Sequence, residues 1–254
     1  MTGKTHKAGG VLVTVVGAKL LMDSGYFLDD VEPVIQMLVM YPFAMFGSIA
    51  PDYDHDIEVI PDRNPVTEWI NRVLHVFNPA ADEIKEAREN GIKVGGKKAK
   101  IIEFLACRHR SWQTHSDLTL VILFLITMLL RAGVVQLTPI GTSICYLMMT
   151  GFTLGILAHF ILDMLTRAGI SSFVLTALRA LICKIMKKKI PDGFVKIRFV
   201  PNKEFFSTDS PYEDFVRNVI NVVSRVYILG MLLYCVYSNV PFINSIVNNI
   251  IHSI

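Results

Sequence analysis

The chain has 254 residues, of which 52% are hydrophobic and 19% charged, with a formal net charge of +3 and a mean hydropathy of +0.45. Soluble domains are usually richer in charge, so the choice is between one large core and a small membrane bundle. The small net charge gives no argument for nucleic acid. The four cysteines, Cys107, Cys145, Cys183 and Cys235, form no C-x-x-C pair, which excludes a zinc knuckle or thioredoxin-like motif and offers no disulfide framework.

Five apolar segments approach the roughly 20 residues that cross a bilayer. The first, residues 8–22, follows Lys4, His6 and Lys7. It has the outline of a signal peptide. Lys19 interrupts it, however, and Asp23-Ser24-Gly25-Tyr26 offers no small-x-small cleavage site, so a retained first helix is expected. The second segment, residues 33–50, runs into Pro51-Asp52-Tyr53-Asp54-His55.

A polar region follows. Asn64-Pro65 with Glu68 has the form of a capped helix start, and residues 80–90 are charged and helix-prone before Gly91. The region closes on His109-Arg110-Ser111-Trp112-Gln113-Thr114-His115-Ser116. Thr114 and Asp117 have a capping-box outline, which places His115 in the first turn of the next helix. Ser116 has no G-x-S-x-G context and reads as a helix-start residue, not a nucleophile.

The third segment is residues 118–137, interrupted late by Arg131, and the fourth is residues 140–165, ending on His159 and Asp163. Residues 172–186 carry Arg179 and Lys184 and read as an interfacial or re-entrant helix. The alternating run Phe194-Val195-Lys196-Ile197-Arg198-Phe199-Val200, between Pro191-Asp192-Gly193 and Pro201-Asn202, reads as a short strand between turns. The fifth segment is residues 222–240, followed by an amphipathic tail.

The fold expected is therefore all-α and integral to the membrane. It is a bundle of four to five transmembrane helices forming one domain over residues 1–254. A helical insertion at about 56–107, a loop at about 166–221 and a short β-like segment interrupt it. Residues 51–117 hold ten Lys or Arg, residues 166–221 another ten, and Lys4 and Lys7 precede the first segment. With five spans all three regions fall on one side, which the positive-inside rule assigns to the cytoplasm. His6, Asp52, Asp54, His109, His115, His159 and Asp163 then meet at that same face.

Imidazole and carboxylate in this density suit a metal, because each offers a lone pair and tolerates burial once metallated. His159 and Asp163 are spaced i, i+4 and share a helix face, and an ionisable pair in an apolar segment is costly unless it has work to do. Asp52 reads as a ligand, with Asp54 bridging, binding or acting as a base. Arg110 is a planar, permanently charged donor suited to an anion. His75 and His252 lack ligand-like companions and read as structural. Lys184, Lys187, Lys188 and Lys189 fit anionic lipid, and the lack of interleaved aromatics speaks against nucleic acid.

These motifs carry a resemblance. His6, Pro51-Asp52-Tyr53-Asp54-His55, His109-Arg110 with Thr114-His115-Ser116, residues 155–166 and Ala168-Gly169-Ile170 resemble the bacterial membrane-bound metal-dependent hydrolases, the family labelled LexA-binding, inner membrane-associated hydrolases. The match omits the insertion and the tail. Two positions depart from it: the His109–His115 spacing is one residue longer, and Arg167 stands where the family typically carries proline. The ligand order is also distantly similar to that of zinc-dependent phospholipase C.

The resemblance implies a hydrolase. Metal ligation is expected from His6, Asp52, His115, His159 and Asp163, and catalytic or orienting roles from Asp54, His109 and Arg110. Zinc is the expected metal, and manganese or magnesium suits the carboxylate-rich set. The expected substrate is a phosphoester, plausibly of a lipid, cleaved at the cytoplasmic face of the inner membrane. Membrane lipid is the expected partner. Two other classes fit parts of the pattern: an ion or metal transporter, and a regulatory scaffold with a structural metal. The clustering of ligands at one face and not at mid-bilayer speaks against the transporter.

Overall fold

The computed structural model describes residues 3–28, 31–55, 64–107, 111, 113–134, 138–166, 169–191, 193–199 and 210–251. Among them the chain is mostly helical. In order it forms α1 (Gly3–Asp23), α2 (Pro33–Gly47), a 3-10 turn (Ala50–Asp54), α3 (Pro65–Leu74), α4 (Asn78–Glu89), α5 (Lys97–Leu105), α6 (Asp117–Arg131) and α7 (Pro139–Met164). Then come β1 (Ile170–Ser172), α8 (Phe173–Ile185), β2 (Val195–Ile197) and α9 (Pro211–Ile251). Among the described residues, two stretches are long and apolar enough to cross a membrane, Pro33–Asp54 and Ile140–Met164.

Helix α7 is the central element, and α1, α2 and α6 pack around it. Its start is defined by Thr138, whose hydroxyl accepts from the Gly141 N–H, and by Pro139 in the first turn, where a missing N–H costs nothing. Gly151 and Gly155, one turn apart, let α2 approach closely. A Cβ at either would collide with the carbonyl oxygens of Met40 and Ala44. This is the small-residue packing by which membrane helices associate. It sets the end of α2, and the Ala50–Asp54 turn beyond it, beside the last turns of α7.

The core is divided along α7. Ala18, Met40, Leu130, Tyr146 and Leu147 pack at one end, and Ile156, Phe160 and Ile170 at the other. Arg131 closes the first end: its guanidinium donates to the Gly25 carbonyl at 2.8 Å and lies over the Tyr26 ring. On α6, Val121, Ile122, Phe124, Leu125, Ile126 and Leu129 all point outward.

Several local expectations are refined. The α3 cap is Asn64 as expected, but its reciprocal partner is Thr67 and not Glu68. Thr114 does not cap α6; Ser116 occupies the N-cap position without a side-chain bond. His115 accordingly sits just before the helix, not in its first turn. Asp117 faces away from Thr114 and caps α8, accepting from the Phe173 N–H at 2.6 Å and the Ser172 hydroxyl at 2.7 Å. The strand read within residues 194–200 is β2. Its antiparallel partner β1, paired Ile170 to Ile197 and Ser172 to Val195, is too short to carry a readable alternation.

Candidate metal centre

Four segments bring the chemistry together at the end of α7. On α7, His159 and Asp163 lie one turn apart and are 0% and 1% exposed. The His159 Nδ1–H donates to the Ser48 carbonyl at 2.8 Å, a bond that only a protonated Nδ1 can make. The His159 Nε2 faces the cluster.

His115 comes from the turn before α6. Its Nδ1 lies 3.1 Å from the Thr114 hydroxyl and 3.3 Å from Asp54 Oδ2, and the Thr114 hydroxyl itself donates to that carboxylate oxygen. A carboxylate behind Nδ1 orients the ring and favours a proton there, which turns Nε2 into the cluster. It points at His159 Nε2 from 3.2 Å. Burial holds the His115 pKa below its usual value, against the opposing pull of Asp54, which keeps the ring neutral.

The remaining donors close around this pair. Asp163 Oδ2 is 3.5 Å from His115 Nε2 and 3.6 Å from His159 Nε2. His6, in the first turns of α1, stacks on His159 with ring centroids 3.9 Å apart and sets its Nε2 3.8 Å from Asp163 Oδ1. Its Nδ1 is buried without a hydrogen-bond partner. Burial first, and the neighbouring His159 next, lower the His6 pKa well below the usual value. Asp52, from the turn after α2, sets Oδ1 3.7 Å from His159 Nε2.

His6, Asp52, His115, His159 and Asp163 thus form two overlapping donor groups, His6/Asp52/His159 and His115/His159/Asp163, each with its atoms within 4.8 Å of one another. Ligands about 2.1 Å from a tetrahedral ion stand about 3.4 Å apart. The separations of 3.2 to 3.8 Å above bracket that value, so the residues fit a divalent ion.

Asp54 stands behind His115, at its Nδ1, and not among the five donors. His109 and Arg110 lie outside the described residues. His75, read as structural from sequence, is a strut: its Nε2 contacts the Asp54 carbonyl at 2.9 Å. Asn71, one turn earlier on α3, donates to the carbonyls of Tyr53 at 2.6 Å and His55 at 2.8 Å. The insertion therefore clamps the turn that carries Asp52 and Asp54. Sequence reading missed Asn71, and also missed Thr114 as the link between Asp54 and His115. The i, i+4 spacing of Asn71 and His75 puts both on one helix face but does not show what that face meets.

A model of the YdjM inner membrane protein family matches residues 1–175, a stretch that contains all five donors. The chain belongs to the YdjM inner membrane protein family. With the two apolar helices, this makes it a membrane protein. No match is found among curated proteins or among solved structures. Within the matched segment, α1, α7, the turn after α2 and the turn before α6 supply all five donors.

Proposed function

We propose that this YdjM-family protein is a membrane-bound metal-dependent hydrolase acting on a phosphoester, with its site at the cytoplasmic membrane face. One observation carries the reading. Two imidazole Nε2 atoms face each other at 3.2 Å in a buried pocket with a carboxylate oxygen 3.5–3.6 Å from both. These three groups, from two separate segments of the chain, converge at separations that suit the ligands of one divalent ion.

His115, His159 and Asp163 would hold a divalent ion, with His6 and Asp52 as the further donors. Zinc suits the three imidazoles, and manganese or magnesium suits the carboxylates. Bound there, such an ion supplies Lewis acidity and an activated water at neutral pH. The chain's own residues do the rest. Asp54 and Thr114 fix the His115 tautomer, Ser48 fixes that of His159, and Asp52, at 9% exposure the most accessible of the five donors, marks the side open to substrate. Arg110 is assigned the substrate phosphate on sequence grounds, as a bidentate donor. A lipid phosphoester is the favoured substrate, because this end of the bundle meets the headgroups.

The cytoplasmic orientation rests on the placement of 22 of the 25 basic residues at one end of the five-segment arrangement. The outward apolar faces of α6 and of α9, where Val222, Val226, Leu229 and Leu233 are exposed, support further spans beyond the two apolar stretches. A second reading, a structural ion in a regulatory scaffold, is favoured by the near-complete burial of His6, His115, His159 and Asp163, since structural sites are closed. Metal analysis of detergent-purified protein, followed by turnover on a phosphoester panel that includes phospholipids, separates the two. Bound metal without turnover on any ester favours the scaffold; no bound metal rejects both.

A further inference from the structure

Helix α8 is unlike the other helices around the site. None of its side chains is buried. Val174, Leu178, Leu181 and Ile185 follow one another at helical spacing and are 58%, 49%, 55% and 72% exposed, with Leu175 and Ile182 beside them. A single apolar stripe of this kind requires a partner. With 13 residues, α8 spans about 20 Å, well short of the roughly 30 Å hydrocarbon core.

Its ends are fixed in different ways. The N-terminus is tied to the cluster's own segment: Asp117 accepts from Phe173 N–H and Ser172 Oγ, and the Ser171 N–H donates to the His115 carbonyl at 2.8 Å. The helix is therefore held at the same end of the bundle as His115. The C-terminus turns over at Lys187, in the left-handed region at φ 55°, with Lys188 N–H donating to the Cys183 carbonyl at 2.8 Å. That turn presents Lys184, Lys187, Lys188 and Lys189 outward, and all four are exposed. No acidic residue occurs between Asp163 and Asp192.

We infer that α8 is an interfacial helix that docks on anionic lipid, its apolar stripe among the acyl chains and its lysine turn on the headgroups. An amphipathic helix with basic residues at the polar edge binds a bilayer in this way. A second copy of the chain is a poor occupant: a parallel pairing of α8 stripes would bring two sets of four lysines together, and an antiparallel one would offer them no acidic residue of α8. The inference rests on the membrane location of the family and on α8. It does not need the cluster to bind metal or to hydrolyse anything.

The test uses the full chain in vesicles of phosphatidylcholine alone, or of phosphatidylcholine with phosphatidylglycerol. A fluorophore at Leu178→Cys, in a background without the native cysteines, is exposed to lipid-borne quencher and to aqueous iodide. Quenching by the lipid-borne quencher, stronger with phosphatidylglycerol, is expected. Replacing Lys184, Lys187, Lys188 and Lys189 by Gln should remove the phosphatidylglycerol effect, each lysine contributing about fivefold in partitioning. Iodide quenching alone in both vesicles overturns the inference, as does an undiminished phosphatidylglycerol effect in the lysine variant. So does self-association of the fluorophore without lipid quenching. Should the substituted protein fail to fold, hydrogen exchange on the unaltered chain decides. Residues 173–186 should be protected more with phosphatidylglycerol than without it, and equal exchange refutes the docking.

Discussion

The Nε2 atoms of His115 and His159 stand 3.2 Å apart, and each ring is held from behind through its Nδ1. The Ser48 carbonyl takes the proton of His159, and Asp54 with Thr114 takes that of His115. Asp163 Oδ2 lies 3.5 and 3.6 Å from the two Nε2 atoms, so the three groups converge as the ligands of one cation would.

His159→Ala and Asp163→Asn should each abolish stoichiometric metal binding while leaving the bundle folded. Both side chains lie at the end of α7, beyond the Gly151 and Gly155 contacts that hold α2, so packing should survive. Metal analysis of purified, monodisperse variants decides. Full metal retained in both would reject the centre.

Asp54→Asn should behave differently. It keeps the size of the side chain and frees the His115 Nδ1 proton from its carboxylate. Substitutions behind a ligating histidine typically cost 10–100-fold in metal affinity. Competition with a chelator should therefore reveal weaker binding, with full occupancy restored at high metal. Affinity equal to the unaltered protein would mean that Asp54 does not orient His115.

Gly155→Ala tests how the site is positioned. The added methyl meets the Ala44 carbonyl and the Ser48 backbone N–H region at once, and backbone cannot step aside as a flexible side chain can. Overpacking costs about 1–3 kcal/mol, which should appear as a lowered unfolding temperature in detergent. Because α2 leads into the Asp52 turn and Ser48 holds His159, metal affinity should fall as well. An unchanged unfolding temperature would contradict the close approach.

The grouping of the five donors was legible because each sits at the end of an apolar segment, and segment ends on one side of a bundle must meet. The helices of the insertion were legible through Asn64, Pro65 and Gly91, whose turn and cap chemistry is local. What escaped was long-range. Asn71 and His75 matter because they reach carbonyls 16 to 21 residues earlier in the chain, and nothing local marks a helix as a clamp. Thr114 and Asp117 have the spacing of a cap, yet each has a tertiary partner, Asp54 and α8 respectively. Tertiary bonds overrode a local motif at both positions.

The last prediction concerns the substrate. Arg110→Lys should impair turnover more than it impairs metal binding. A guanidinium grips two phosphate oxygens at once, whereas an ammonium acts as a point charge. Charge is retained, so attraction to the anionic surface should be retained too. Loss of one charge-assisted hydrogen bond is worth about 1.5–3 kcal/mol, or about ten- to hundredfold in rate if it is felt in the transition state. The comparison requires a substrate from the phosphoester panel and metal content matched to the unaltered protein. Unchanged turnover in the Lys variant would remove Arg110 from the mechanism and weaken the case for an anionic substrate, while leaving the His115–His159 centre untouched.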